Sequence, residues 1–275
     1  MSLGSSSGHW KSQIDTGLPC WDGYRKLLGQ LSATPFPDTT ALNEMLPHEI
    51  SSEGQAAIRF VPASCLPGVQ YEQHIFETGE VSTREDNWHD LFNALVWCRF
   101  PHLKLAMNSL HYKNLGREKG GRRGKIRDAL TLLDESGVIV VGSNRSVLNA
   151  LALRDWNTAF VTHQPAWCTE LHVLICGHAI LEKFLKPYKA ITAHALLLQA
   201  PDPVPAKQLD SLLASSLSEG RLLDSTAGLS PLPLMGIPDW WPAGEQDRAF
   251  YDDRSVFRPP PGQINPAPIH RVSDL

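Results

Sequence analysis

The sequence predicts one globular domain of mixed architecture, α+β or mixed α/β. It should carry a small mixed sheet, several helices and a C-terminal Pro/aromatic arm wrapped over the domain. Three observations lead there. Apolar residues recur at helical spacing in several segments, most clearly Asn87–Trp97 and Ala206–Leu217. Short β-rich runs bounded by glycine or proline alternate with them. From Gly228 onward proline and aromatic residues crowd the chain with little period. Yet Trp240, Trp241, Phe250, Tyr251 and Phe257 are too many large apolar groups for a free tail. These observations divide the chain into a loose N-terminus at 1–17, a mixed domain at 18–227 and an extended arm at 228–275.

Taken in order, Trp21–Leu31 reads as a short amphipathic helix with Leu27, Leu28 and Leu31 inward, broken by Thr34-Pro35-Phe36-Pro37. Thr40–Leu46 forms another, stopped near Pro47. Ala57–Val61 reads as a strand ended by Pro62. Asp86 or Thr83 can cap a helix over Asn87–Trp97, because a short side-chain oxygen accepts an unpaired amide of the first turn. Leu91, Leu95 and Cys98 lie on one side of it and Trp88, Phe92 and Val96 on a neighbouring side, so burial on more than one face is expected. Pro101 opens a second helix, since its missing amide hydrogen costs nothing there; it should run to about Tyr112. Leu130–Leu133 and Val138–Val141, around Asp134-Glu135-Ser136-Gly137, read as a β-hairpin. A helix over Leu148–Phe160, started by Asn144 or Ser146, leads to a strand at Leu171–Cys176. A short helix at His178–Leu185 and a second strand at Ile191–Leu198 complete a unit of crossover size.

With 25 Lys and Arg against 29 Asp and Glu, a net charge of −4 excludes a generally cationic coat for nucleic acid. One local basic block stands out at 113–127, where Arg122, Arg123 and Arg127 could grip a small anionic substrate, a phosphate group or a nucleic-acid backbone, a solvated loop being the alternative. Its glycines lack the spacing of a phosphate loop, and no aromatic platform accompanies it for nucleic acid. The five cysteines form no Cys-x-x-Cys pair and no even disulfide framework, which points to a reducing cytoplasm. No segment reads as a signal peptide or a membrane span.

The candidate chemistry gathers on histidines and carboxylates. His89 and Asn93 are four apart on the Asn87–Trp97 helix and share a face, with Asp90 one step round. Polar groups in so apolar a helix need partners. His89 is therefore a candidate metal ligand or general base, oriented by Asn93 or Asp90; a satisfied packing network is the alternative. His178 and Glu182 are likewise four apart, at the first turn after a strand-ending glycine. His111 is expected to face solvent, and Asp128 to stand before the first strand of the hairpin. The metal candidates are His89, Asp90, Asp128 and His178, and the catalytic candidates His89, Asn93, His178 and Glu182. No GxSxG or activated cysteine supports nucleophilic catalysis.

Four segments together, YEQHIFETGEVSTREDNWHDLFNALVWCRFPHLKLAMNSLH, RRGKIRDALTLLDESGVIVV, CGHAILEKFLKPYKAITAHAL and GIPDWWPAGEQDRAFYDDRSVFRP, resemble an uncharacterised bacterial family, domain-of-unknown-function family 3025. The likeness runs from about Phe60 to Pro259. It implies that His89, Asp90, Asn93, Asp128, His178, Glu182 and Lys183 are signature positions, and it implies no activity or cofactor. Two function classes follow. The first is a divalent-metal-dependent hydrolase or phosphoesterase acting on a phosphate-containing substrate. The second is a non-catalytic binding or scaffold protein using the basic block and the aromatic arm.

Overall fold

An unbroken run of buried side chains, Val138 through Val141, marks a strand covered on both faces, and the main sheet is built outward from it. A computed structural model describes residues 9–275 apart from 48–49, 54–55, 66–69, 116–123, 243, 261 and 263–264. In chain order the strands are β1 (Arg59–Pro62), β2 (Glu80–Thr83), β3 (Gly137–Gly142), β4 (Leu171–Ile175), β5 (Thr192–Gln199), β6 (Ser230–Pro233) and β7 (Ile269–Arg271). The α-helices are α1 (Arg25–Gln30), α2 (Thr39–Met45), α3 (Tyr71–Thr78), α4 (Trp88–Arg99), α5 (Pro101–Leu115) and α6 (Lys125–Ser136). They continue with α7 (Arg145–Leu153), α8 (Ala166–Thr169), α9 (His178–Lys183), α10 (Ala206–Ser218) and α11 (Arg248–Tyr251).

β1 and β2 form a separate parallel pair with Phe60 opposite Val81. The larger sheet has the order β4-β3-β5-β6. β3 runs antiparallel to β4, with Val140 opposite Val173, and parallel to β5, with Val140 opposite Leu197. β7 pairs with Leu197–Gln199 and β6 with Thr192–Ala195, so both lie end to end along the edge of β5 away from β3. Leu91, Phe92, Ala94, Leu95, Val96 and Trp97 of α4 are all buried, as its two apolar sides require. Trp21 packs on Phe92 with ring centroids 5.6 Å apart. The whole is a single globular domain of mixed helical and small-sheet architecture.

Several sequence readings are corrected. The hairpin is absent: Lys125–Ser136 is the helix α6, and only β3 follows it. Ile126, Ala129, Leu130 and Leu133 recur at helical spacing and turn inward together, which overrides the local β-character of Leu130–Leu133. Asp128 therefore sits in the first turn of a helix and not before a strand. The helix cap at α4 is Asn87, whose Oδ1 accepts from the Asp90 amide at 3.0 Å. The β4–α9–β5 unit is not a parallel crossover, since β3 lies between the strands and they run in opposite senses. The helix expected over 148–160 splits into α7 and a π-helical turn at Asn157–Thr162. The segment 228–275 supplies β6 and β7 to the sheet. Its Phe250, Tyr251 and Phe257 cluster with Phe160 at centroid spacings of 5.2–6.1 Å.

Candidate metal centre

Three helix ends meet at one place. His89 lies in the first turn of α4, which Asn87 fixes by capping. His178 is the first residue of α9. Asp134 and Glu135 lie in the last turn of α6. The contact between α6 and α9 depends on two glycines. A Cβ on Gly177 would stand 2.3 Å from the Gly137 nitrogen and 2.7 Å from the Glu135 carbonyl oxygen, distances no side chain tolerates. The Gly177 amide instead donates to the Gly137 carbonyl at 2.8 Å. That close approach carries His178 onto the acidic end of α6.

The imidazoles of His89 and His178 face each other through Nε2 at 2.9 Å, with their planes 79° apart. Glu135 Oε2 is 3.6 Å from His178 Nε2, and one ligand atom from each of the three residues lies within 4.8 Å of the other two. Donors bonded at ~2.0–2.1 Å to a common ion stand roughly 2.9–3.4 Å apart for ligand angles between a right angle and the tetrahedral one. The His–His spacing falls in that range and the nearer His–Glu spacing just beyond it, so the two imidazoles are placed for an ion and the Glu135 carboxylate would have to move in to complete the set.

The outer nitrogen of His89 is also oriented. Glu182, one turn along α9, faces His89 Nδ1 at 3.1 Å. If its carboxylate accepts the Nδ1–H, the lone pair of His89 is left on Nε2. Asp134 Oδ2 stands 3.8 Å from His178 Nδ1, close enough for charge attraction but not for a hydrogen bond. Carboxylates behind imidazoles are the usual outer support of a metal site. Beneath them lies a buried chain of polar groups. Lys104 Nζ donates to Asp134 at 2.5 Å and to Asn93 Oδ1 at 2.9 Å, and sits 5.3 Å from the centre of the Trp97 ring. Asn93 Nδ2 donates in turn to the Tyr71 hydroxyl at 2.9 Å.

Burial lowers the His178 pKa to about 4, outweighing the opposite pull of Asp134, so its imidazole is neutral and able to bind metal at physiological pH. Burial alone would raise the pKa of Asp134, but Lys104 and then His178 hold it below the ordinary carboxylate value. Burial raises that of Glu135, partly offset by His89. Acids in the last turn of α6 oppose the helix dipole, whose negative end favours cations. Lys104 answers part of that imbalance, and a bound cation would answer more. His89 and Glu135 remain partly exposed while His178 is buried, so the centre opens to solvent on one side.

The structure thus brings together His89, His178 and Glu182 of the sequence candidates. Asn93 lies one layer deeper, its amide engaged by Tyr71 and Lys104. Asp90 turns away to Arg84, accepting from its backbone amide, Nε and a terminal nitrogen at 2.7–2.9 Å. Asp128 is exposed at the opposite end of α6, in the same first turn as Arg127. Arg122 and Arg123 lie outside the described residues. Lys183 is exposed on α9. His111 is buried, against expectation, and its charge reaches Asp134. Glu135, Asp134 and Lys104 escaped the sequence reading. The inward spacing of Ile126, Ala129, Leu130 and Leu133 was the signal that could have placed both acids at a helix end.

Two imidazoles and a carboxylate on three helix ends, with His89 backed by the Glu182 carboxylate, define a candidate metal-binding protein of mixed α and β structure. The chain matches the family described as Protein of unknown function (DUF3025) over residues 58–260, well over half its length, and it belongs to that family. No curated protein matches the chain, and no solved structure does. Among the described residues, no helix is long and apolar enough to cross a membrane.

Proposed function

We propose that the protein holds a divalent metal ion on His89 Nε2, His178 Nε2 and the Glu135 carboxylate, and that it is a hydrolase acting on a phosphate-containing substrate. The observation that carries this reading is the approach of the two Nε2 atoms to 2.9 Å beside Glu135. Two nitrogens and one oxygen suit zinc, with a coordination position left for water or substrate. A metal bound there supplies a water acidic enough to give hydroxide near neutral pH and a Lewis acid for a phosphoryl oxygen. The chain supplies the rest. Glu182 orients His89, Asp134 faces His178, and Lys104 holds Asp134 ionised beneath the site.

Lys125 and Arg127 lie in the first turn of α6, with Arg127 roughly 12 Å along the helix from Glu135 at 1.5 Å per residue. Arg127 would hold a part of the substrate remote from the reacting group. The test begins with protein purified without an affinity tag. Its metal content is measured, and Zn²⁺, Mn²⁺ and Mg²⁺ are titrated into chelated protein while hydrolysis of bis(p-nitrophenyl) phosphate is followed. Stoichiometric binding that His89→Ala and His178→Ala abolish, with turnover lost alongside, is the expected result. Protein that neither carries nor responds to any of the three ions would leave the imidazole pair as a packing contact and favour the non-catalytic binding protein.

A further inference from the structure

A second cleft lies at the other end of α4, between α1, the corner joining α4 to α5, and the start of α10. Its volume is about 570 Å³, within the ordinary range of small-ligand pockets. Lys26, Arg99, His102 and Lys207 bring cationic or protonatable groups to it, and Leu27, Ile50 and Pro101 give it an apolar wall. Arg99 is distant from the metal candidates, since it ends the helix that His89 begins, roughly 15 Å away along the axis.

Among the described residues, the positive charges in this cleft lack compensating partners. Among the described lining residues the one acid, Asp210, is buried and already committed to the first turn of α5. It accepts from the His102 and Leu103 amides at 3.1 and 2.8 Å and faces His102 Nδ1 at 2.9 Å. Neither Lys26, Arg99 nor Lys207 has an ion-pair or side-chain hydrogen-bond partner among the described residues. Arg99 is the most telling of the three. Its guanidinium lies 5.6 Å from the Phe100 ring centre and crosses Gly23, where an added Cβ would sit 3.6 Å from Nε. Nε is buried with no acceptor. A guanidinium held by packing, with its planar fork of donors unused, suits an oxyanion; a buried donor left without a partner is costly.

We propose that this cleft binds a small organic anion, with an oxyanion head at Arg99, Lys26 and Lys207 and an apolar body against Leu27, Ile50 and Pro101. Phosphate and carboxylate heads share this chemistry. The proposal is independent of the metal centre.

The test uses the full chain and anilinonaphthalene sulfonate, an organic anion with an apolar body whose fluorescence rises on transfer out of water. Wild-type protein should bind it saturably, and octyl phosphate or octanoate should displace it, the stronger competitor identifying the head group. Arg99→Gln should weaken probe binding about tenfold or more, as loss of a charge-assisted contact does. Lys207→Gln, at an exposed position that folding does not need, should weaken it less. His89→Ala should leave it unchanged. Three results would each overturn the proposal: no saturable binding to folded wild-type protein, failure of both competitors, or wild-type affinity in an Arg99→Gln/Lys207→Gln variant that melts normally.

Discussion

Lys104 shows what single residues contribute here. A buried ammonium costs several kcal/mol in desolvation, and it is held only because Asp134, Asn93 and Trp97 surround it. Replacing it with methionine leaves Asp134 charged and unpaired, so Lys104→Met should cost about 3–5 kcal/mol in urea unfolding. Lys104→Met/Asp134→Asn should cost less than the sum of its parts, because the two groups stabilise each other. Glu182→Gln tests a different role. The fold should be unaffected, since this side chain is nearly half exposed, while metal affinity measured by calorimetry should fall about 10–100-fold as the backing of His89 is lost. Binding unchanged in that variant would remove Glu182 from the site.

At the scale of elements, the deciding contact is the approach of α9 to the end of α6. Gly177→Ala should destabilise the fold by roughly 1–3 kcal/mol or more, as overpacking does. It should also weaken metal binding although Gly177 offers no ligand, because His178 must shift when the backbone gives way; retained affinity with lowered stability would separate the two effects. The same contact explains how far the sequence could be read. α4, α5, α9, α10, β4 and β5 follow from their own apolar spacing and caps. The pairing of His89 with His178 and Glu182 is legible only as residue types at plausible places, since no local rule joins helices so far apart in the chain. Glu135 was hidden by a mistaken element. Leu130–Leu133 beside Val138–Val141 has the composition of a hairpin, and only the wider spacing from Ile126 to Leu133 declares the helix. β6 and β7 were hidden for another reason. Each is three or four residues long and is made a strand by the edge of β5, not by its own period.

For the molecule as a whole, a bound ion and the surrounding proton concentration should both move stability in measurable ways. An ion at a hundredfold excess over its dissociation constant adds about 2.7 kcal/mol, a rise in melting temperature of several degrees for a chain of this size. His178→Ala should abolish the rise. In chelated protein, burial lowers the pKa of His194, with a smaller effect from Lys183, and burial also lowers that of His270. The unfolded chain therefore takes up these protons first as pH falls, so stability is full above the ordinary imidazole value of 6.5 and declines as pH drops from there toward the folded values. The urea midpoint should fall between pH ~7.5 and ~5, and His194→Gln with His270→Gln should make that slope shallower.

The three residues around the candidate ion come from the fourth, sixth and ninth α-helices of the chain, which must all be in place before the ligands can meet. Occupancy would then act as a clasp on the late stages of assembly. Amide protons of α9 should exchange with solvent slowly in loaded protein and quickly after chelation, while those of β3, enclosed by its neighbours, should keep one rate in both.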